Sequence, residues 1–103
     1  MRFDPVLHHP ARLKLVMLMA ATTSASFNEL AREAQLTAGN LQSHLKSLEA
    51  AGYVEAWRSL VELKPRMRYR LTRAGREALR AYCAQLTEAV RGIESLTARD
   101  APG

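Results

Sequence analysis

Cysteine is almost missing from this chain: Cys83 is the only one among 103 residues. A lone thiol excludes an intramolecular disulfide and any metal cage built from several cysteines. Glycine and proline are scarce, five and four residues, while 48% of the chain is apolar, a balance that predicts a folded, largely helical protein. No apolar run approaches the length needed to cross a membrane, and Met1-Arg2-Phe3-Asp4-Pro5 lacks the apolar stretch of a secretory signal. The expectation is a cytoplasmic protein with no membrane partner. Catalytic signals are lacking too. No nucleophile–base pair, glycine-rich phosphate loop or carboxylate cluster stands out, so no enzyme activity and no cofactor are expected. The histidines, His8, His9 and His44, do not have a metal-ligand spacing, and no metal site is expected. The length suits one domain, residues 1–103, with one small core.

What the chain does have is charge of one sign in one place. Fifteen Lys and Arg oppose ten Asp and Glu, a net +5. Between residues 37 and 76 there are eight bases (Lys46, Arg58, Lys64, Arg66, Arg68, Arg70, Arg73, Arg76) and three acids (Glu49, Glu55, Glu62), again +5. Outside that segment the charges cancel. A localised basic segment is the electrostatic footprint of a nucleic-acid face, since each cation that neutralises a phosphate releases a counterion.

The order of elements gives the segment a shape. Pro10 suits the first position of a helix, 10–21, that carries Leu13, Val16, Leu18 and Met19. Thr22 to Ser26 end it and can cap the next; Ser26 and Asn28 are both candidate caps, and Glu29 stands where a capping box on Ser26 needs it. Residues 27–52 read as two helices around a break at Gln35-Leu36-Thr37, with Thr37 capping the second and Gly52 stopping it. Tyr53 to Ser59 and Arg68 to Leu71 read as strands around a basic connector, with Pro65 in the tip because it cannot donate to a central ladder. Trp57 and Tyr69 are expected to pack this ribbon, 53–71, onto the body. Thr72 caps a final helix, 72–96, and Thr97 to Gly103 are expected to fray. The fold class is mainly α with a small β-wing: a winged helix-turn-helix, which places its second helix in a DNA major groove.

On that second helix, Leu41, Leu45 and Leu48 define the buried side. Gly39, Ser43, Lys46 and Ala50 fall opposite, with Asn40 and Gln42 on the flanks. Gly39 is about 1 kcal/mol worse than alanine for a helix, which makes sense on an outward face if the backbone must approach DNA closely. Asn40 and Gln42 suit an adenine edge, and Ser43 suits a base or a phosphate. The expected DNA-contacting set is Thr37, Gly39, Asn40, Gln42, Ser43 and Lys46 from the helix, with Arg58, Lys64, Arg66 and Arg68 from the wing.

The final helix spaces Leu79, Tyr82, Leu86, Ala89, Ile93 and Leu96 by alternating threes and fours, a heptad seam. Cys83 and Val90 widen the stripe, which leaves packing within the domain as the other use. The distal half, beyond about Leu86, outruns what so small a domain can cover, so these six residues are the expected dimer interface. Cys83, among apolar neighbours, is expected to be an inert core or interface residue.

These segments resemble the small single-domain winged-helix transcriptional regulators related to the MarR and ArsR groups. The similarity rests on Leu7-His8-His9-Pro10-Ala11-Arg12-Leu13, Leu36-Thr37-Ala38-Gly39-Asn40-Leu41 and His44-Leu45. It continues through Leu48-Glu49-Ala50-Ala51-Gly52-Tyr53-Val54 and Tyr69-Arg70-Leu71-Thr72-Arg73-Ala74-Gly75-Arg76. Met67 departs from the pattern, standing where such proteins often carry a small hydroxyl residue. The resemblance implies a homodimer that binds double-stranded DNA and regulates transcription; the paired cysteines of metal-sensing relatives have no counterpart, and the sequence does not reveal an effector ligand. The competing reading is a winged-helix module that binds protein rather than DNA. The concentration of positive charge on recognition helix and wing favours DNA.

Overall fold

The computed structural model describes residues 2–100. Helix α1, Pro10–Ala20, starts with Pro10 in its first turn and buries Leu15, Val16 and Met19. A two-residue strand, β1 (Ala25–Ser26), follows where only a capping segment was expected. Ser26 then caps α2, Phe27–Ala34: its Oγ accepts from the Glu29 N–H at 3.1 Å, and the Glu29 carboxylate accepts from the Ser26 N–H at 3.3 Å. This resolves the choice between Ser26 and Asn28. Gln35, at φ 57°, turns the chain out of α2.

Helix α3, Ala38–Ala50, is capped by Thr37, whose Oγ1 accepts from the Asn40 N–H at 3.2 Å. Its C-terminus closes on Gly52 at φ 80°, with Gly52 N–H donating to Glu49 O and Tyr53 N–H to Leu48 O. Only a residue without Cβ adopts that conformation freely, which is why the stop signal was legible.

The strands of the ribbon are longer than expected. Strand β2 covers Val54–Val61 and β3 covers Lys64–Leu71, so most of the supposed connector is ladder. The connection shrinks to Glu62 and Leu63, both at positive φ (51° and 65°), as a mirror-image two-residue hairpin turn requires. Pro65 lies inside β3, opposite Leu60, rather than in the turn. Residues flanking a two-residue turn form the hydrogen-bonded pair, so Leu60 and Pro65 form the next, non-bonded pair and the missing N–H breaks no rung. The strand order is β1-β3-β2, all antiparallel, with Ala25 and Ser26 opposite Tyr69 and Arg68.

Helix α4, Arg73–Asp100, begins on Thr72, whose Oγ1 accepts from the Gly75 N–H at 3.0 Å and donates to Gly52 O at 2.6 Å. It continues past Leu96, and Thr97 is helical rather than frayed, its hydroxyl donating to Ile93 O at 2.8 Å. Residues 101–103, also expected to fray, lie outside the described residues. The core joins Leu15 and Met19 of α1 to Leu30, Leu41, Leu45 and Leu71, with Leu7 from the N-terminal arm fully buried among them. The radius of gyration is 17.0 Å, against about 13 Å for a compact chain of this length. The excess is the projecting half of α4.

Candidate nucleic-acid interface

Three buried leucines hold α3 in place: Leu41, Leu45 and Leu48 have almost no exposure. Because they recur on one side, Gly39, Asn40, Gln42, Ser43 and Lys46 are all exposed on the other. Thr37 is exposed as well, with its oxygen engaged in the cap. A Cβ added to Gly39 would meet nothing within 4 Å, so the fold itself does not require glycine there. The helix therefore presents a polar, smooth N-terminal half to solvent on a rigid mount.

The ladder sorts the wing's cations by face. Lys64, Arg66, Arg68 and Arg70 alternate along β3 and share a face with their partners Val61, Ser59, Trp57 and Glu55. Arg58 pairs with Met67 and points the other way, so the four expected wing bases do not act from one surface. Arg68 departs further from expectation. Its guanidinium donates to Ser24 Oγ at 2.7 Å and pairs with Glu29 at 3.4 Å, largely covered. It braces the wing against the start of α2 and is not a free phosphate ligand. Arg58, Lys64 and Arg66 remain exposed. Tyr69 packs on the body beside Phe27, as expected, and burial pushes its hydroxyl pKa up. Trp57 does not join it. It lies on the opposite face, under the Arg70 guanidinium at 5.4 Å, while Arg70 pairs with Glu55 at 3.0 Å.

The α4 seam divides in two. Leu79 and Tyr82 pack on the chain's own core, Tyr82 only 5% exposed and its hydroxyl 2.9 Å from His8 Nδ1. The body covers Tyr82 and half-buries Leu79, so these two offer a partner less surface than the distal residues of the seam. Leu86, Val90, Ile93 and Leu96 are 40–63% exposed, and Ala89 is half-buried. Cys83 faces solvent, so it is no core residue. A second apolar strip on α1 is partly open, with exposed Met17 between half-buried Leu13 and Leu18.

The N-terminal arm and the histidines form contacts that the pattern did not reveal. Asp4 accepts from the Tyr53 hydroxyl and from the Val6 N–H, and the first of these bonds pushes the Tyr53 pKa up to about 12. Phe3 stacks on His8. His9 and His44 approach to 4.8 Å between ring centroids, and Arg12 Nε donates to His44 Nδ1 at 3.3 Å. Burial, then the neighbouring His9 and Arg12, push the His44 pKa down. Neutral His44 thus ties α1 to the recognition helix. The signal for this contact was the helical phase of His44, beside the leucine stripe.

Comparison with known proteins agrees with this geometry. Residues 11–90 match the family model of the winged helix DNA-binding domain. An uncharacterised protein of Methanocaldococcus jannaschii is 30% identical over 89 residues, covering 86% of this chain and 97% of that protein. The structure of a transcriptional regulator homologue from Pyrococcus horikoshii superposes with a TM-score of 0.80 at 27% identity, over 85% of this chain and 87% of that one. The transcriptional repressor BigR from Xylella fastidiosa superposes at 0.64 with 30% identity, over 80% and 76% of the two chains. The family is one of regulators rather than enzymes, and this chain belongs to it: a small winged-helix DNA-binding protein.

Proposed function

We propose that the chain binds duplex DNA sequence-specifically as a homodimer and acts as a transcriptional repressor in the cytoplasm. The observation that carries the reading is the outer face of α3, where Gly39, Asn40, Gln42, Ser43 and Lys46 stand exposed on a helix anchored by three buried leucines. Neutral amides near the start of a rigid helix suit base edges. Thr37 lies at the helix entrance, and Arg58, Lys64 and Arg66, unpaired among the described residues, supply charge from the wing for backbone phosphates. Dimerisation is supported by the uncovered distal seam of Leu86, Ala89, Val90, Ile93 and Leu96. Repression is supported by likeness to the Xylella repressor.

Selection of bound sequences from a random duplex pool tests the whole reading. A two-fold dimer is expected to enrich a near-palindrome with half-site centres about 34 Å apart, one helical turn. An enriched site without symmetry argues against the dimer, and no enrichment with no gel shift at low salt argues against DNA binding.

A further inference from the structure

The wing ends in an apolar tip that the fold does not use. Leu63 is 92% exposed and Leu60 69%, with Val61 and Met67 also open to solvent. The turn geometry disfavours the residues it contains. Glu62 and Leu63 sit at φ 51° and 65°, where Asn and Gly are at ease and a leucine is strained by roughly 1–2 kcal/mol. Neither packing nor backbone conformation accounts for a leucine at this point. A branched apolar side chain at the end of a two-stranded arm has the form of a wedge.

The surrounding charge indicates what the wedge enters. Arg58, Lys64 and Arg66 are exposed near the tip, and none forms an ion pair among the described residues. They outnumber the tip's one acid, Glu62, three to one. Arg58 lies on one face of the ribbon and Lys64 and Arg66 on the other, so cations flank the apolar end on both sides. That arrangement complements a groove with phosphate walls. A single-sided protein surface would not need it. Reach agrees as well. From Tyr69, the outermost buried residue of β3, to Leu63 is six residues, about 20 Å of strand at ~3.4 Å each. Half a turn of duplex, which separates a major groove from the next minor groove, is about 17 Å.

We propose that Leu63 inserts as an apolar wedge into the minor groove beside the site read by α3, and opens a base step there. Arg58, Lys64 and Arg66 neutralise the phosphates on either side. This rests on the DNA-binding reading above and adds a second reading position. Pyrimidine–purine steps such as TA unstack most easily, so the wedge favours such a step at a place where no side chain contacts a base edge.

The test uses the full chain and a duplex of about 40 base pairs with spread TA steps, labelled at both ends to report bending by energy transfer. Leu63→Gly relaxes the turn and removes the wedge, so its thermal midpoint is expected to equal or exceed that of the wild type. The proposal expects this variant to bind about tenfold more weakly and to leave the duplex straight, while Leu63→Met, which keeps an apolar wedge, still bends it. Bending and affinity unchanged in Leu63→Gly overturn the wedge. Gln42→Ala, measured on the same duplex and on a selected site, separates the two readings. If it loses site preference while Leu63→Gly is silent, DNA binding stands and only the wedge falls. If wild-type protein binds neither duplex at low salt, the DNA-binding reading fails.

Discussion

A Cβ placed on Gly75 would lie 2.2 Å from the carbonyl oxygen of Tyr53. The first turn of α4 thus rests directly on the backbone that links α3 to the wing. Two further bonds close the same joint: Thr72 N–H donates to that Tyr53 oxygen at 3.0 Å, and the Thr72 hydroxyl donates to Gly52 O. The joint fixes how the projecting helix leaves the DNA-binding body.

Gly75→Ala is therefore expected to destabilise the protein by about 2–3 kcal/mol, because the obstacle is backbone and cannot rotate away. For a chain of this size that lowers the thermal midpoint by roughly 10 °C or more. A midpoint within about 2 °C of the wild type contradicts the close approach.

Gly39→Ala is expected to do the opposite to the fold. The added methyl meets nothing within the chain and improves helix propensity, so stability rises by up to about 1 kcal/mol. Duplex affinity should fall, because the methyl occupies space reserved for the DNA. Denaturant unfolding and a gel shift on the same variant supply the two signs. A variant that is more stable and binds as well as the wild type removes Gly39 from the contact set.

The wing cations divide into two classes that a salt titration distinguishes. Arg66→Ala removes an exposed charge and is expected to flatten the log–log salt slope by about 0.9 per lost phosphate contact, doubled for a symmetric dimer. Arg68→Ala breaks the contact with Ser24 and Glu29 instead. It should loosen the wing and lower the thermal midpoint while changing the salt slope little. Equal slope changes in the two variants would show that Arg68 leaves its brace to bind phosphate.

Much of this frame was legible because local chemistry decides it. Thr37, Gly52 and Thr72 act as caps and stop within a few residues of where they stand, and the leucine stripe of α3 needs only its own period. What was illegible depends on distant partners. Strand β1 exists only because Ala25 and Ser26 meet Tyr69 and Arg68. Arg68 looked like its exposed neighbours until Glu29, 39 residues away, came beside it. The turn was illegible because Glu62-Leu63 carries no Gly, Asn or Pro to announce it, so the strands extend past the expected ends at Ser59 and Arg68. The heptad seam was real as a period, but period alone does not say that the N-terminal arm covers Tyr82 and leaves Ile93 bare.

Stability should respond to acid through His44. Its folded pKa is pushed below the ordinary 6.5 by burial and by His9 and Arg12, so the unfolded chain takes up a proton more readily. By linkage, the stability from this group is fully present above pH 6.5 and is lost as pH falls below it toward the lowered native value. Thermal midpoints measured from pH 7.5 down to about 5 should decline, and His44→Gln, which can still accept from Arg12, should decline less. Identical slopes in the two proteins would remove His44 as the cause.

The exposed half of α4 carries the prediction that separates assembly from folding. Leu86 and Ile93 are 40% and 63% exposed in the single chain, so charging them removes little from its own core. In a dimer the same positions leave water on both copies, favouring association at roughly 25 cal/mol per Å² of apolar area before the cost of association. Leu86→Glu with Ile93→Lys should therefore yield a monomer whose circular dichroism in the body is retained, with weakened binding to a two-half-site duplex. Leu79→Glu provides the contrast. Leu79 packs on the chain's own core, so this change should unfold the body rather than merely split a dimer. Sedimentation is the check: wild-type protein that is monomeric at micromolar concentration sinks the dimer, and a charged variant that remains dimeric shows that the distal half of α4 is not its interface.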